Sequence, residues 1–392
     1  MVTRNLSILL SLITTIVISP NANASDQCPW PVSQTFIRIS TPQALQDISL
    51  CAPYTGRTFF VDTEIDLTGI QFKSIDMFDG TFDGGGNRIM NLTSTNGGLF
   101  NVIKGSAIVK AFYLENANVT GGTDPSKGYG AVANVMQDQA SISHVGVSGT
   151  VKGQTSSYLG GIVGIMENGD LYDTASFVTL VPGINAQFNG VLVGLEKTGS
   201  KIDHSTSSGS IILTGNARSN GGIVGAQDKG AIITSSSSST VIDNRGADTA
   251  IGNGVLAGLV GGTLSNVFAN GQVKNPISNA RTISGGLAGK ILSTGKLING
   301  YSVSTFSGGD PNADGGLVGL PPNSGSNANL CVNSYWNSDT GISGSALCSD
   351  GGRSQELMQE GAPTDYTYVD WEKQVPAAWI FKKGSYPTLV AP

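Results

Sequence analysis

Short apolar clusters bracketed by glycine recur along the chain at nearly constant spacing. They read GGLFN at Gly97, YGAVAN at Tyr129, GGIVG at Gly160, NGVLVG at Asn189, GGIVG at Gly221, NGVLAG at Asn253, GGLAG at Gly285 and GGLVG at Gly315. They return about every 31 residues, a regularity that marks a stacked solenoid or array. Each core is followed by a second element that opens on an apolar residue and runs into a β-prone segment, as in SISHVGVSGTVKG from Ser141, KIDHSTSSGSIILTG from Lys201 and TLSNVFANGQVKN from Thr263. Val, Ile, Thr and Phe separated by Gly, Asn, Asp and Ser predict short strands joined by turns. No helical period is sustained between Gly97 and Gly319.

Such a repeat is short for a propeller blade, which needs roughly 40–50 residues. It suits one coil of a parallel β-helix, whose strands stack at about 4.8 Å. The expected fold is therefore all-β, a parallel β-solenoid of about eight coils forming a rod of roughly 40 Å. The paired glycines belong where the backbone needs positive φ or close approach. The apolar pairs beside them stack into ladders that no single repeat could bury alone.

The two ends depart from the period. Residues 25–96 read as an N-terminal cap with the first strands, in which Thr41 and Pro42 predict the N-cap and first position of a short helix. Residues 97–332 carry the repeats. Residues 333–392 concentrate Trp336, Trp371 and Trp379, and aromatics there are expected to cover the open hydrophobic end of the last coil.

Residues 1–24 read as a signal peptide: Arg4, an apolar run from Leu6 to Ile18, then Ala22 and Ala24 before a cut. Cys28 stands too far from the small-residue box for lipid attachment. No later apolar run is long enough to span a membrane, so a secreted or cell-surface location is expected, periplasmic residence fitting the same leader. Four cysteines in an exported chain argue for disulfides, and the local pairing Cys28 with Cys51 and Cys331 with Cys348 suits ends that a rod holds apart. The formal charge of −6 argues against nucleic acid as a partner.

In GGLVG at Gly315, FVDTEIDLTG, FDGTFDGGGNRIMNL, NSYWNSDTG and WIFKKGSYPTL, nearly the whole mature chain resembles bacterial proteins carrying GLUG repeats. The resemblance implies a β-solenoid in secreted or surface-exposed proteins, often adhesin-like, and a non-catalytic part of some surface peptidases. It carries over no catalytic residue. With only His144 and His204 present, the HExxH metallopeptidase motif is absent.

Four groups of residues stand out chemically. Asp76, Asp79 and Asp83 could act as an acid–base pair on a β-helix face, although Asp-Gly is also a turn dipeptide. With the second halves aligned on their apolar residue, the position two later reads Lys110, His144, Asp173, His204, Thr234, Asn266 and Asn299. His144, Asp173 and His204 on consecutive coils could share a zinc ion or a salt bridge, or form a polar corner ladder. Asp310, Asn312 and Asp314 have the spacing of half a calcium loop, but Pro321 occupies the twelfth position, where a bidentate Glu belongs. The run from Ser235 to Thr240 would face half its hydroxyls outward. No cofactor is implied beyond that calcium candidate.

Export, repetition and missing catalytic motifs together predict a non-enzymatic, adhesin-like binding protein presenting an extended face to a glycan, a matrix protein or a cell-surface partner, including a companion outer-membrane protein. The alternative is a carbohydrate-active β-helix enzyme, a lyase or glycoside hydrolase, using surface carboxylates.

Overall fold

In the computed structural model, the apolar residue that opens each second half stacks on its counterpart in the next coil. Ile37, Phe59, Phe82, Val109, Ile142, Leu171, Ile202, Ile232, Leu264, Leu297 and Cys331 form one parallel, in-register column. The first ten are buried. Each such side chain contributes about 1.5–3 kcal/mol when buried, realised only against the rungs above and below it. The structure describes residues 28–392 except 155–157, 214–216, 244–251, 279–281, 310–313, 320–329, 341–347, 349–350, 365 and 375. The leader expected over residues 1–24 lies outside the described residues.

Three parallel sheets make the rod. The longest, of 21 strands among the described residues, carries the column above, and two others have seven strands each. The second sheet starts at Phe100–Ile103 and the third at Gly128–Tyr129. Eight Gly-apolar cores therefore give about seven full coils. The Gly97 core contributes no strand to the third sheet, and the last core meets the second only through the bridge Ala288–Val318.

Among the paired core glycines, only Gly97 has positive φ (109°). The others serve close approach. A Cβ on Gly161 would collide with the Val191 carbonyl oxygen and Ser176 Oγ, and one on Gly222 with Ser237 Oγ and the Val255 carbonyl oxygen. Within the Ser235–Thr240 run, Ser235, Ser237 and Ser239 are buried and Ser238 is exposed. The interior also carries a ladder of amides. Asn189 Nδ2 donates to Asn220 Oδ1, and Asn220 Nδ2 to Asn253 Oδ1, both at 2.8 Å.

At the N-terminal end, α1 (Pro42–Asp47) is capped by Thr41 Oγ1, which accepts from the Ala44 N–H at 3.1 Å. Leu45 and Ile48 are buried there, and the Cys28–Cys51 disulfide ties the segment before the first strand to the end of the 3-10 turn that follows the helix. Arg57, also buried, donates to the carbonyl oxygens of Cys51 and Gln34. The Cys331–Cys348 disulfide is present at the other end.

The C-terminal aromatics divide, correcting the expectation that they all cover the last coil. Trp336 belongs to the main core, with Gly351 and Gly352 packed on its ring. Trp371 and Trp379 instead build a second, separate core on the outside of the rod with Tyr301, Tyr335, Met358 and Tyr368. Tyr301 and Tyr335 alternate outward along their strands, so they need a cover the solenoid interior cannot provide.

Candidate functional site on the lateral face

From the Val109 rung onward, each rung of the long sheet bends at one residue held in the left-handed region. These are Ala111, His144, Asp173, His204, Thr234, Asn266, Asn299 and Asn333, with φ between 47° and 59°. The register pairs Lys110 with Ser143, so the first member of the column is Ala111 and not Lys110. Asn333 extends the column by a rung. Among residues with a side chain, Asn and Asp tolerate this conformation best, and the bend turns the following strand to form a second plane.

Two outward columns flank the bend. The one before it reads Arg38, Phe60, Asp83, Lys110, Ser143, Tyr172, Asp203, Ile233, Ser265, Ile298 and Val332. The one after it reads Arg88, Tyr113, Gly146, Ala175, Thr206, Ser236, Phe268, Tyr301 and Tyr335.

The C-terminal segment lies across the last three rungs of this face. Trp379 Nε1 donates to Asn266 Oδ1 (3.4 Å), and Trp371 Nε1 to the Asn333 carbonyl oxygen (3.0 Å). The Tyr301 hydroxyl, whose pKa burial pushes far above the usual tyrosine value, donates to the Pro387 carbonyl oxygen (2.7 Å). Trp379 packs on Phe268 and Tyr301, with ring centroids 6.3 and 5.6 Å apart. The segment ends in a cavity of about 250 Å³ lined by Thr388–Pro392 and by His204, Thr206, Thr234, Ser236 and Phe268.

Toward the N-terminus the same columns are open. Tyr172 is exposed between two imidazoles, its ring centroid 5.9 Å from that of His144 and 5.5 Å from that of His204. His144 Nε2 lies 3.7 Å from Asp173 Oδ2, and His204 Nδ1 2.8 Å from Asp203 Oδ1. The structure thus brings His144, Asp173 and His204 onto consecutive rungs, with each histidine beside a different carboxylate. Among the described residues, no three His, Cys, Asp or Glu side chains are arranged to hold a metal ion. What the open columns offer is a short strip of small residues, Ala175 and Thr206, between the Tyr113 ring, which lies over Gly146, and the cavity at the C-terminal segment, rimmed by aromatic rings and paired charges. The sequence reading passed over Tyr172 and Asp203. It also passed over the recurrence of Phe268, Tyr301 and Tyr335 two positions after the bend, the one periodic signal for this face.

The other candidates separate. Asp76 Oδ1 accepts from Asn101 Nδ2 (2.8 Å), Asp79 Oδ2 from Thr55 Oγ1 (2.5 Å), and Asp83 pairs with Lys110 Nζ (3.3 Å). Asp83 sits on the long sheet, whereas Ile75 and Phe78, which flank Asp76, bridge to the second sheet. Asp310 and Asn312 lie outside the described residues. Asp314 is buried in the third sheet opposite Ser284, in line with the asparagine ladder and not on an exposed loop.

No family model and no curated protein sequence matches the chain. Among solved structures, a Bacteroides ovatus protein provisionally named an immunoglobulin A1 protease is similar over 90% of this chain and 91% of that one, with 17% identity and a TM-score of 0.52. A second, named IgA1 protease, is similar over 78% of this chain and 21% of its own, with 15% identity and a TM-score of 0.47. The first likeness establishes the β-solenoid fold. It also corrects the expectation that the chain is not an enzyme, because a protein named as a peptidase has this fold along nearly its whole length. The missing HExxH motif excludes one peptidase chemistry and no other. Both disulfides fit an exported protein, and no described helix is long and apolar enough to cross a membrane.

Proposed function

We propose that this is a secreted or cell-surface β-solenoid, adhesin-like in that it holds an extended polypeptide segment of a surface or matrix partner on the open half of its lateral face. The observation that carries this reading is the chain's own C-terminal segment, which occupies the other half of the same columns through aromatic packing and hydrogen bonds to the bend residues. A partner segment would continue that path over Thr206 and Ala175 toward the Tyr113 ring that lies over Gly146, with Tyr172 as its aromatic anchor. Buried aromatic anchors dominate binding energy at such surfaces. The resemblance to GLUG-repeat surface proteins agrees with this role.

The test is selection of binders from a display library of unstructured peptides, followed by hydrogen exchange of the complex. Protection over residues 143–147, 172–176 and 203–207 is expected. Protection confined to other surfaces, or no enrichment at all, would overturn the reading.

A further inference from the structure

We propose that a second site, independent of the lateral face, binds a neutral sugar in the polar cleft between Gln71–Asp76 and Ser94–Asn101. The cleft has a volume of about 400 Å³, lined by Gln71, Phe72, Lys73, Ser74, Asp76, Ser94, Thr95, Asn96 and Asn101. That volume lies within the range of small-molecule sites, roughly 300–1,000 Å³. Its lining differs from theirs: Phe72, the one large apolar residue, is itself buried.

The walls are held in place before any ligand arrives. Gln46 bonds the Lys73 backbone twice, through its side-chain nitrogen to the carbonyl (3.0 Å) and its side-chain oxygen to the N–H (2.8 Å). Ser74 Oγ donates to the Gly98 carbonyl oxygen (2.6 Å). Asn134, buried beneath, donates through Nδ2 to the Asn96 carbonyl oxygen (3.1 Å) and to Asn101 Oδ1 (3.2 Å), which leaves Asn101 Nδ2 to hold Asp76. This chain of bonds fixes the Asn101 amide and the Asp76 carboxylate together, so little ordering cost remains for those groups.

The donor set selects the ligand class. One lysine and one aspartate leave the cleft with no net charge, so it suits neither an anion nor a divalent cation, which prefers several carboxylates. An apolar ligand would find no large apolar side chain exposed in the walls. A polyhydroxyl ligand matches planar amides, which pair a donor with an acceptor, and a carboxylate, which accepts from two neighbouring hydroxyls.

The experiment is saturation-transfer NMR and calorimetry on the full mature chain with the methyl glycosides of glucose, galactose, mannose and N-acetylglucosamine. At least one should bind with a millimolar or tighter constant. Asp76→Ala and Gln71→Ala should each weaken it by about tenfold or more, while Tyr172→Ala leaves it unchanged; unaltered thermal melts establish that the variants fold. Absence of transfer from all four glycosides, or binding retained in the Asp76→Ala/Gln71→Ala double variant, would overturn the proposal. Loss of binding in Tyr172→Ala would move the sugar to the lateral face and likewise overturn it.

Discussion

The Trp379 indole hydrogen-bonds Asn266 across 113 residues of sequence, joining the C-terminal segment to the bend of a coil in the solenoid body. The same indole stacks on Trp371 with centroids 4.5 Å apart. The outer face is thus sealed at its C-terminal end by aromatic packing separate from the main core. Trp379→Ala should cost about 3–5 kcal/mol locally and release the segment without melting the coils. Limited proteolysis should then cut between residues 366 and 392 while the solenoid's thermal transition stays in place.

The core glycines admit no side chain. Gly161→Val or Gly222→Val would drive a branched side chain into the next coil's carbonyl and a serine hydroxyl, so a loss of about 1–3 kcal/mol or more is expected. Thermal melting monitored by circular dichroism should show a clear fall in Tm for both variants, whereas Gly86→Ala, with nothing near its Cβ direction, should lose only what its positive φ imposes.

Glu196 gives the fold a pH dependence. It is fully buried with neither carboxyl oxygen hydrogen-bonded, and desolvation, only partly offset by the nearby Gln227 side chain and Ala231 N–H, raises its pKa to about 8. In the unfolded chain the carboxyl ionises near the ordinary glutamate value of 4.5, so the unfolded state binds fewer protons between these values. Stability should therefore fall as pH rises from about 4.5 to about 8, by up to about 1.4 kcal/mol per pH unit, and level off above. Glu196→Gln should remove this slope, seen as a Tm advantage over wild type that widens from pH 5 to pH 8.

The N-terminal cap depends on its disulfide. Cys28–Cys51 spans 23 residues, and closing a loop of that length contributes about 3 kcal/mol in the chain-entropy account. The double variant Cys28→Ser/Cys51→Ser should expose α1 and the first rungs. Hydrogen exchange should rise over residues 36–61 and stay unchanged beyond residue 140.

Much of this architecture was legible in the sequence because the interior repeats. The apolar residues opening each second half became one buried column, and the Gly-apolar cores became rungs of two sheets. The outer face was harder to read. The bend residues Ala111, His144, Asp173, His204 and Thr234 share a backbone conformation and not a chemistry, so side-chain type suggested a metal column where the backbone explains the pattern. The aromatic cover of Phe268, Tyr301 and Tyr335 comes from residues far along the chain, a pairing no local period encodes. Function was least legible, since a site spread over several coils leaves no compact motif, and a non-enzymatic reading drawn from absent motifs did not survive comparison with a fold neighbour named as a peptidase.

The central claim, that the open half of the lateral face holds an extended polypeptide, is tested most directly by the affinity of display-selected peptides for wild type and for Tyr172→Ala, measured by fluorescence anisotropy. The account predicts that the variant, with an unchanged melting curve, binds about tenfold or more weakly. Equal affinity for the two proteins would contradict it.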